Sequence, residues 1–406
     1  MDTTRRTILR GMAAAPIVAT TGGLLVPETA LAAPAKPTLT MSYDPTESAR
    51  RLKGIRWLQR DRRSRLNAQT LPLPARGAWE FPPVPVDKVP DWPDPRETPL
   101  PAVAYGWSPR DQDAQKEAGG WYPQGITTYY DATGRNGTRM MVSWYNKKDK
   151  KRGARIALID RRSDNPRYHY IRLVKTKPKS GGGFTAVPIK DLHAGGLAWY
   201  RNRLYVTDSK KNALLVFNTD DIFVSTKDDF PSGVREDPWV LPLSRTYRSQ
   251  NEDVDLTFSQ VAVDRTSLSS PFRRTTLIVN GWETAGESQN IGRWSFAYGP
   301  SGSLLTDGNI ATAADVYKIH RGSGLPPDRG VQGAVTVQNT MYLSVSAGQQ
   351  HGYLSTAALG ANQEGTALTK WRVPRGPEDL SYDGHNRWMW SLGEWEGYRS
   401  VYAMRV

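Results

Sequence analysis

The sequence predicts an all-β fold, and three observations carry this prediction. Glycine (36 residues), proline (29) and tryptophan (14) are abundant for a helical protein of 406 residues. Short aromatic and β-branched segments alternate with turn-forming residues, which is typical of strands joined by loops. From Trp121 onward these segments recur, and a repeat of this length decides the architecture before any single element does.

Five repeats are visible in the second part of the chain. Each opens with a short apolar strand, continues with three mostly apolar residues and a small polar one, and ends in further strands. The second segments read MMVS, LYVT, LIVN, MYLS and WMWS, beginning at residues 140, 204, 277, 341 and 388. Repeats of about four strands predict a five-bladed β-propeller. A β-sandwich and a six-bladed ring with one degenerate blade remain alternatives.

The last repeat has only three strands before Val406, so its outer strand is predicted to come from earlier in the chain. The candidates are residues 101 to 107 and residues 77 to 84. Both lie in a proline-rich stretch that excludes helix and central strand and suits an extended, wrapping segment. We therefore divide the chain into 1–32, 33–120 and the propeller at 121–406.

A single helix is predicted near the start of the second of these regions. Asp44 is placed as N-cap, Pro45 as the first helical residue and Glu47 as the third. The helix is expected to run to about Asn67. Its narrow apolar stripe is predicted to comprise Ala49, Leu52, Ile55 and Leu58.

The first 32 residues resemble a bacterial twin-arginine (Tat) export signal. Arg5 and Arg6 form the pair, a modestly apolar stretch follows, and cleavage is expected after Ala32. Ile8 stands where such signals usually have Phe, and a free amphipathic N-terminus is the alternative. The chain has no cysteine, which fits export of a protein already folded in a reducing cytoplasm. We expect a secreted, extracellular monomer without a membrane span, since no apolar run reaches about 18 residues.

The formal net charge of +14 is concentrated in two places. Residues 50 to 65 contain eight Lys or Arg and one Asp, and residues 147 to 155 read KKDKKRGAR. Such clusters favour anionic partners, among them cell-wall polymers, acidic glycans and nucleic acid. The alternative is a solvated surface that keeps an exported protein soluble.

Polar side chains recur where the first strands of the repeats begin. In a propeller these strands line the central channel, and the second strands return to the same mouth. Gly125, Gly195, Gly196 and Gly333 have a packing reason there, because the strands converge. Packing does not explain the polar residues as well as it explains the glycines. These polar residues are His193 and, at matching positions of the repeats, Gln124, Gln260, Gln332 and Glu378.

A polar or carbohydrate ligand is predicted at this mouth, because carboxylates, an imidazole, amides and indoles suit such a site. We predict catalytic roles for Glu378, Glu394 and His193, with one carboxylate protonated and its partner ionised. The predicted ligand-binding residues are Gln124, Gln260, Gln332, Asp208, Trp144, Trp282, Glu283 and Asp379. The alternative is that these groups satisfy strand ends and channel waters.

Metal binding has weaker signals. Residues 251 to 255 (NEDVD) offer oxygens for Ca²⁺ but lack EF-hand spacing, and an acidic loop is the alternative. The histidines show no zinc-ligand spacing, and neither a nucleophile elbow nor a P-loop is present. No other cofactor is expected.

The blade openings, with His-Ala-Gly-Gly at 193–196 and Pro-Glu-Asp-Leu at 377–380, look like those of secreted bacterial β-propeller proteins. The resemblance extends from Trp121 to Val406 at the level of blades. Five-bladed folds include arabinan-type glycosidases, fructan-processing enzymes, apyrases and sugar-binding lectins. The resemblance implies a glycoside hydrolase-like enzyme, or another hydrolase or lyase. The glycosidases among these folds use a triad of carboxylates, and the candidates for it in this chain are Asp208, Glu283, Glu378 and Glu394. A scaffold or adhesion protein held to an anionic envelope is the second expectation.

Overall fold

The computed structural model describes residues 38–62, 65–73, 78–112, 120–162, 165–229, 237–251, 256–265, 275–282, 288–321, 330–360 and 363–406. The predicted export signal and residues 252 to 255 of the calcium hypothesis lie outside this set. Most of the described chain is β-strand, as predicted. No helix within these ranges has the length and apolar character that crossing a membrane requires.

The described residues before 113 include three strands, two α-helices and a 3₁₀ turn at Val86–Lys88. The strands and α-helices are β1 (Thr40–Tyr43), α1 (Pro45–Arg62), β2 (Trp79–Glu80), β3 (Val103–Gly106) and α2 (Pro109–Gln112). Asp44 caps α1, because its Oδ1 accepts hydrogen bonds from the backbone N–H of Thr46 at 2.8 Å and of Glu47 at 3.1 Å. The predicted cap is confirmed, but the helix ends at Arg62 rather than near Asn67.

The predicted buried face of α1 is only half right. Ile55 and Leu58 are buried, whereas Leu52 is 41% exposed and Ala49 is also exposed. Arg51 is buried in their place. Its guanidinium donates to Glu47 at 2.5 Å and to Thr246 Oγ1 at 2.8 Å. These contacts compensate for the free energy that burial of the Arg51 charge would otherwise cost.

The first two repeats form one sheet with the order β4-β5-β6-β7-β13-β11-β10-β9. Neighbouring strands within each repeat are antiparallel, and the two outer strands, β7 and β13, pair in parallel. The elements are β4 (Trp121–Thr128), α3 (Tyr129–Thr133), β5 (Arg139–Asn146), β6 (Ala154–Asp160), β7 (Arg167–Pro178), β8 (Phe184–Pro188), β9 (Leu197–Tyr200), β10 (Arg203–Asp208), β11 (Ala213–Asn218), β12 (Phe223–Val224) and β13 (Trp239–Ser249).

The third and fourth repeats repeat this arrangement in an eight-stranded sheet, β14-β15-β16-β18-β22-β21-β20-β19, again with a parallel pair of outer strands. The strands are β14 (Gln260–Asp264), β15 (Thr276–Asn280), β16 (Ser288–Ser295), β18 (Asp315–Arg321), β19 (Val331–Val337), β20 (Thr340–Val345), β21 (His351–Ala358) and β22 (Glu364–Arg375). The short strand β17 (Ile310–Thr312) lies between β16 and β18 in the chain but pairs with β1 instead. All of the predicted second strands described so far lie within β5, β10, β15 and β20.

The last repeat contains three strands from the C-terminus and one from the proline-rich region. They are β23 (Ser381–Asp383), β24 (Trp388–Leu392) and β25 (Ser400–Arg405), with β3 as the fourth. β25 pairs antiparallel with β3, and Tyr105 lies opposite Val401. This confirms the pairing predicted for residues 101 to 107. Residues 82 to 84 run beside β3, where Val84 donates its N–H to the carbonyl of Ala104 at 2.9 Å.

The first strands of the repeats pack against one another. β4 contacts β9, β9 contacts β14, β14 contacts β19, β19 contacts β23, and β23 contacts β4. Glycine makes the approach possible. A Cβ on Gly125 would lie 2.7 Å from the backbone nitrogen of Leu197, and one on Gly333 would lie 2.7 Å from that of Leu380. The predicted packing reason for these two glycines therefore holds.

Candidate functional site

Glu378 and Glu394 lie on the same face of a short antiparallel pairing just before β23 and just after β24. Glu378 donates its N–H to the carbonyl of Leu392 at 3.0 Å, and Glu394 donates its N–H to the carbonyl of Gly376 at 2.9 Å. Directly opposed residues in such a pairing share a face, and so do residues two apart on one strand. The two glutamates are therefore diagonal neighbours on one face, which brings their carboxyl groups into electrostatic range.

The carboxyl group of Glu378 sits in a dry environment. The residue is 1% exposed, and its Oε2 has no hydrogen-bond partner among the described residues. Burial raises the pKa of this carboxyl well above its usual value, and the charges of Glu394 and Asp379 raise it further. Burial and the two neighbouring charges therefore favour the protonated, uncharged form of the Glu378 carboxyl group.

The carboxyl group of Glu394 is only partly buried and has partners that favour its ionised form. The side-chain amide of Gln124 donates a 2.8 Å hydrogen bond to Glu394 Oε2. Burial raises the pKa of Glu394, but this hydrogen bond and the charges of Lys147 and Arg399 oppose the rise. The two carboxyl groups thus differ in environment, as acid and base partners in catalytic pairs do.

Tyr145 connects the two glutamates to His193. Its ring meets the imidazole edge-on, with centroids 4.4 Å apart and planes at 85°. Burial raises the pKa of the Tyr145 hydroxyl, and Glu394 and Glu378 add to the increase, so both carboxyl groups act on this ring. Burial, Lys210 and Lys147 lower the pKa of His193 to about 4, which makes the imidazole neutral at pH 7.

A cavity of about 430 Å³ opens at Glu394. It combines charged side chains with three aromatic rings. Tyr122 donates its hydroxyl proton to Glu396 Oε1, and the Lys147 ammonium lies 5.3 Å from the centroid of the Tyr122 ring. Burial and Glu396 raise the pKa of Tyr122 to about 12. The lining residues are Tyr122, Lys147, Gln349, Arg375, Glu394, Trp395, Glu396 and Tyr398.

Two of the predicted amides lie together beside His193. Gln260 Nε2 donates to Gln332 Oε1 at 3.3 Å. A Cβ built on Gly195 would lie 3.5 Å from Gln260 Nε2 and 3.6 Å from His193 Nδ1. Because both nitrogens approach the same point, Gln260 and His193 are neighbours.

Three other predicted residues are engaged within the fold. Asp379 Oδ2 accepts the backbone N–H of Leu197 at 2.9 Å and that of Ile126 at 3.2 Å, which joins three first strands. Trp144 is fully buried and packs edge-on against Trp107, with ring centroids 4.8 Å apart. Asp208 is 1% exposed and accepts from Lys211 Nζ at 2.7 Å. None of the three lines the cavity at Glu394, so their predicted ligand contacts have no geometric support there.

The remaining predicted residues lie at the edge of the described chain. Trp282 is 47% exposed, and its indole lies over Gly330. Glu283 lies outside the described residues. Asn251, from the calcium hypothesis, accepts the N–H of Thr40 and donates to the carbonyl of Thr38, each at 2.6 Å. Across the described ranges, no three His, Asp or Glu side chains are grouped to hold a metal ion.

Sequence reasoning missed Tyr122, Lys147 and Glu396. Each lies two or three residues from a predicted site residue and lines the cavity at Glu394. Tyr122 precedes Gln124 by two positions on β4, and Glu396 follows Glu394 by two. The residues two positions from Gln124 and Glu394 therefore include Tyr122 and Glu396.

No protein-family model and no curated protein matches the chain. Solved structures give distant likenesses. A GH43_1 enzyme from Xanthomonas citri is 10% identical over 70% of this chain and 86% of its own, with a TM-score of 0.37. The arabinanase Arb43A of Bacillus subtilis is 12% identical over 69% and 92%, with a TM-score of 0.34. Hydrazine synthase of Kuenenia stuttgartiensis is 11% identical over 66% and 73%, with a TM-score of 0.32.

Proposed function

We propose that the chain is an exported, monomeric five-bladed β-propeller that binds and processes a polar ligand of the carbohydrate class at Glu394. The cyclic contacts of the five first strands and the pairing of β3 with β25 support the blade count. Arg5 and Arg6 support the export route, and their replacement by lysine tests it, because the precursor should then stay in the cytoplasm.

The pair formed by Glu378 and Glu394 carries the functional proposal. Glu394 lines the cavity; burial raises its pKa while Gln124, Lys147 and Arg399 oppose the rise, and it is the group that accepts or donates a proton to the ligand. Glu378 holds a proton behind it and keeps a second negative charge out of the site. Tyr145 lies within electrostatic range of both carboxyl groups, and its ring packs edge-on against the neutral imidazole of His193.

The composition of the cavity supports a sugar as the ligand. Trp395, Tyr122 and Tyr398 offer ring faces and edges, and Gln349 and Arg375 offer donors for hydroxyl groups. Sites for polar ligands commonly combine apolar surface with a few directed polar groups in this way. The reaction class that follows is general acid–base cleavage by hydrolysis or elimination.

The experiment is a glycan-array screen followed by turnover assays on the glycans that bind. Glu394→Gln should lower turnover by about 10²- to 10⁴-fold while binding persists, because the shape stays and the proton-transfer group is lost. Glu364→Gln, at an exposed glutamate on β22, is the matched control. Full turnover in the Glu394 variant rules out this site, whereas glycan binding without turnover in the wild type indicates a lectin.

A second candidate function is attachment to an anionic envelope. It is favoured by the outer face of α1, where Arg50, Lys53, Arg56 and Arg60 are all exposed. These positions fall within one side of the helix, so their charges act together on a polymer lying across it. A cell-wall pull-down at increasing salt separates this function from the first, since sugar binding in a cavity depends little on ionic strength.

A further inference from the structure

A second cavity, of about 120 Å³, lies between α1 and the sheet formed by β10, β11 and β13. No described residue lines both this cavity and the one at Glu394. Its walls carry two arginines, Arg203 and Arg245, together with the hydroxyl groups of Ser48, Tyr247 and Ser303. We call it the arginine cavity.

Strand register places the two arginines on one face of the sheet. Arg203 of β10 lies opposite Asn218 of β11, and Arg245 of β13 lies opposite Val216 of the same strand. Residues 216 and 218 are two apart and point the same way, so the arginines flank β11 from either side. Both guanidinium groups therefore reach the space beneath α1.

Neither arginine has a carboxylate partner within the described part of the chain. The Arg245 guanidinium lies over the ring of Tyr43, 3.9 Å from its centroid, and donates to the Tyr247 hydroxyl at 3.1 Å. The acidic lining residue, Asp221, is already engaged by Arg65 at 2.8 Å. The cavity therefore holds positive charge that its own walls do not neutralise.

We propose that the arginine cavity binds one tetrahedral oxyanion, a phosphate or sulfate group, either free or at the end of a larger molecule. Guanidinium groups present paired N–H donors that match such oxyanions, and hydroxyl groups complete the set of donors. The cavity volume of about 120 Å³ is sufficient to admit such an anion. The exposed charges of Lys53 and Arg56 on α1 attract anions toward it.

Isothermal titration with inorganic phosphate, sulfate, acetate and methyl phosphate, which carries no sugar, tests the proposal. Phosphate or sulfate should bind saturably and acetate much more weakly. Tighter binding of methyl phosphate than of phosphate identifies an anion carried on a larger molecule, and equal or weaker binding identifies the free ion. Absence of saturable binding by all four probes overturns the proposal.

Variants then locate the binding. Arg203→Gln should weaken phosphate binding by about tenfold or more, because it removes charge-assisted hydrogen bonds. Arg60→Gln removes one charge from the exposed face of α1 and should change binding by less than about twofold. Equal loss in both variants indicates general surface attraction and overturns the site.

Arg245 requires a conservative variant as well, since it also stacks on Tyr43. Arg245→Lys keeps the charge but loses the planar pair of donors, so it should bind phosphate less tightly than wild type and more tightly than Arg245→Gln. Thermal melting without ligand shows which variants remain folded. Undiminished phosphate binding by a folded Arg203→Gln protein overturns the proposal. This test is independent of the function proposed at Glu394.

Discussion

Gln124 and Glu394 are 270 residues apart in sequence, yet the amide Nε2 of Gln124 donates a 2.8 Å hydrogen bond to Glu394 Oε2. The same amide also donates to the carbonyl of Pro123 at 2.8 Å, which fixes its orientation. A donor held in this way stabilises the ionised carboxylate more than the protonated one. The first strand of the first repeat thus lowers the pKa of a carboxyl group that follows the second strand of the last repeat, against the rise that burial causes.

Removing this donor should raise the pKa of Glu394. Gln124→Ala takes away the hydrogen bond that lowers it, while burial continues to raise it. The change is measured by NMR titration of ¹³C-labelled glutamate carboxyl groups, and in an active protein the acidic limb of the pH–rate profile should move to higher pH.

The matched control is Gln260→Ala, which removes an amide that bonds Gln332 instead. It should leave the titration of Glu394 unchanged. An unshifted Glu394 titration in the Gln124 variant would mean that the hydrogen bond does not control this carboxyl group.

Pairing of the proline-rich region with the C-terminal strand should be essential for stability. Tyr105 lies opposite Val401 in the β3–β25 pair. Proline at this position removes a backbone N–H and is poorly tolerated inside a sheet. Tyr105→Pro should therefore lower the free energy of unfolding by about 2 kcal/mol more than Tyr105→Ala, which removes the same ring and keeps the N–H.

Thermal or urea unfolding of the two variants measures the difference. The proline variant should also aggregate on partial unfolding, because β25 then presents an open strand edge. Equal stability of the two variants would show that the pairing contributes little.

The strands were predictable because their signals are local. Apolar alternation and turn residues are read within a few positions, and all five predicted second strands lie inside observed ones. The buried face of α1 was not predictable in the same way. Arg51 is buried because Thr246, 195 residues away, accepts its N–H, and a helical pattern carries no information on that partner.

The site was predictable in outline for a similar reason. Repeat position alone places Glu378 and Glu394 beside each other. It does not determine the direction of each side chain. Trp144 turns into the core against Trp107, and Asp379 bonds backbone groups of other strands, because tertiary packing decides these orientations. The position of a residue next to a strand end therefore does not determine whether its side chain faces a ligand or the core.

The outer face of α1 should bind anionic polymers in a salt-dependent way. We expect Lys53→Gln, Arg56→Gln and Arg60→Gln together to weaken binding to an anionic cell-wall polymer and to reduce the slope of affinity against salt, because fewer counterions are exchanged. Arg65 belongs to the same basic cluster but is kept unchanged in this variant, since it bonds Asp221 at 2.8 Å.

A triple control removes the same charge elsewhere. Lys88, Lys190 and Lys227 are exposed and lie outside α1. Their replacement by Gln should affect the salt slope much less than the α1 triple variant does. If both triple variants reduce it equally, attraction depends on net charge rather than on this helix.

Asp131 should make stability depend on pH. Its Oδ2 accepts from Ser381 Oγ at 2.6 Å, Thr127 Oγ1 at 2.8 Å and the N–H of Thr128 at 2.9 Å, but burial outweighs these bonds and raises its pKa to about 6. Between its ordinary value of 3.8 and about 6, the folded protein keeps a proton that the unfolded chain has lost. This contribution to stability is therefore present at low pH and is lost as pH rises through that window, by up to about 3 kcal/mol.

Asp131→Asn cannot titrate, so the comparison isolates this effect. The variant loses some hydrogen bonding at every pH, but the wild type should lose stability relative to it as pH rises from about 4 to about 7. Urea unfolding at the two pH values measures the change in that difference, and Asp87→Asn, at an exposed aspartate, serves as control. A difference between wild type and Asp131→Asn that stays constant with pH would show that Asp131 is ionised throughout, with its three donors outweighing burial.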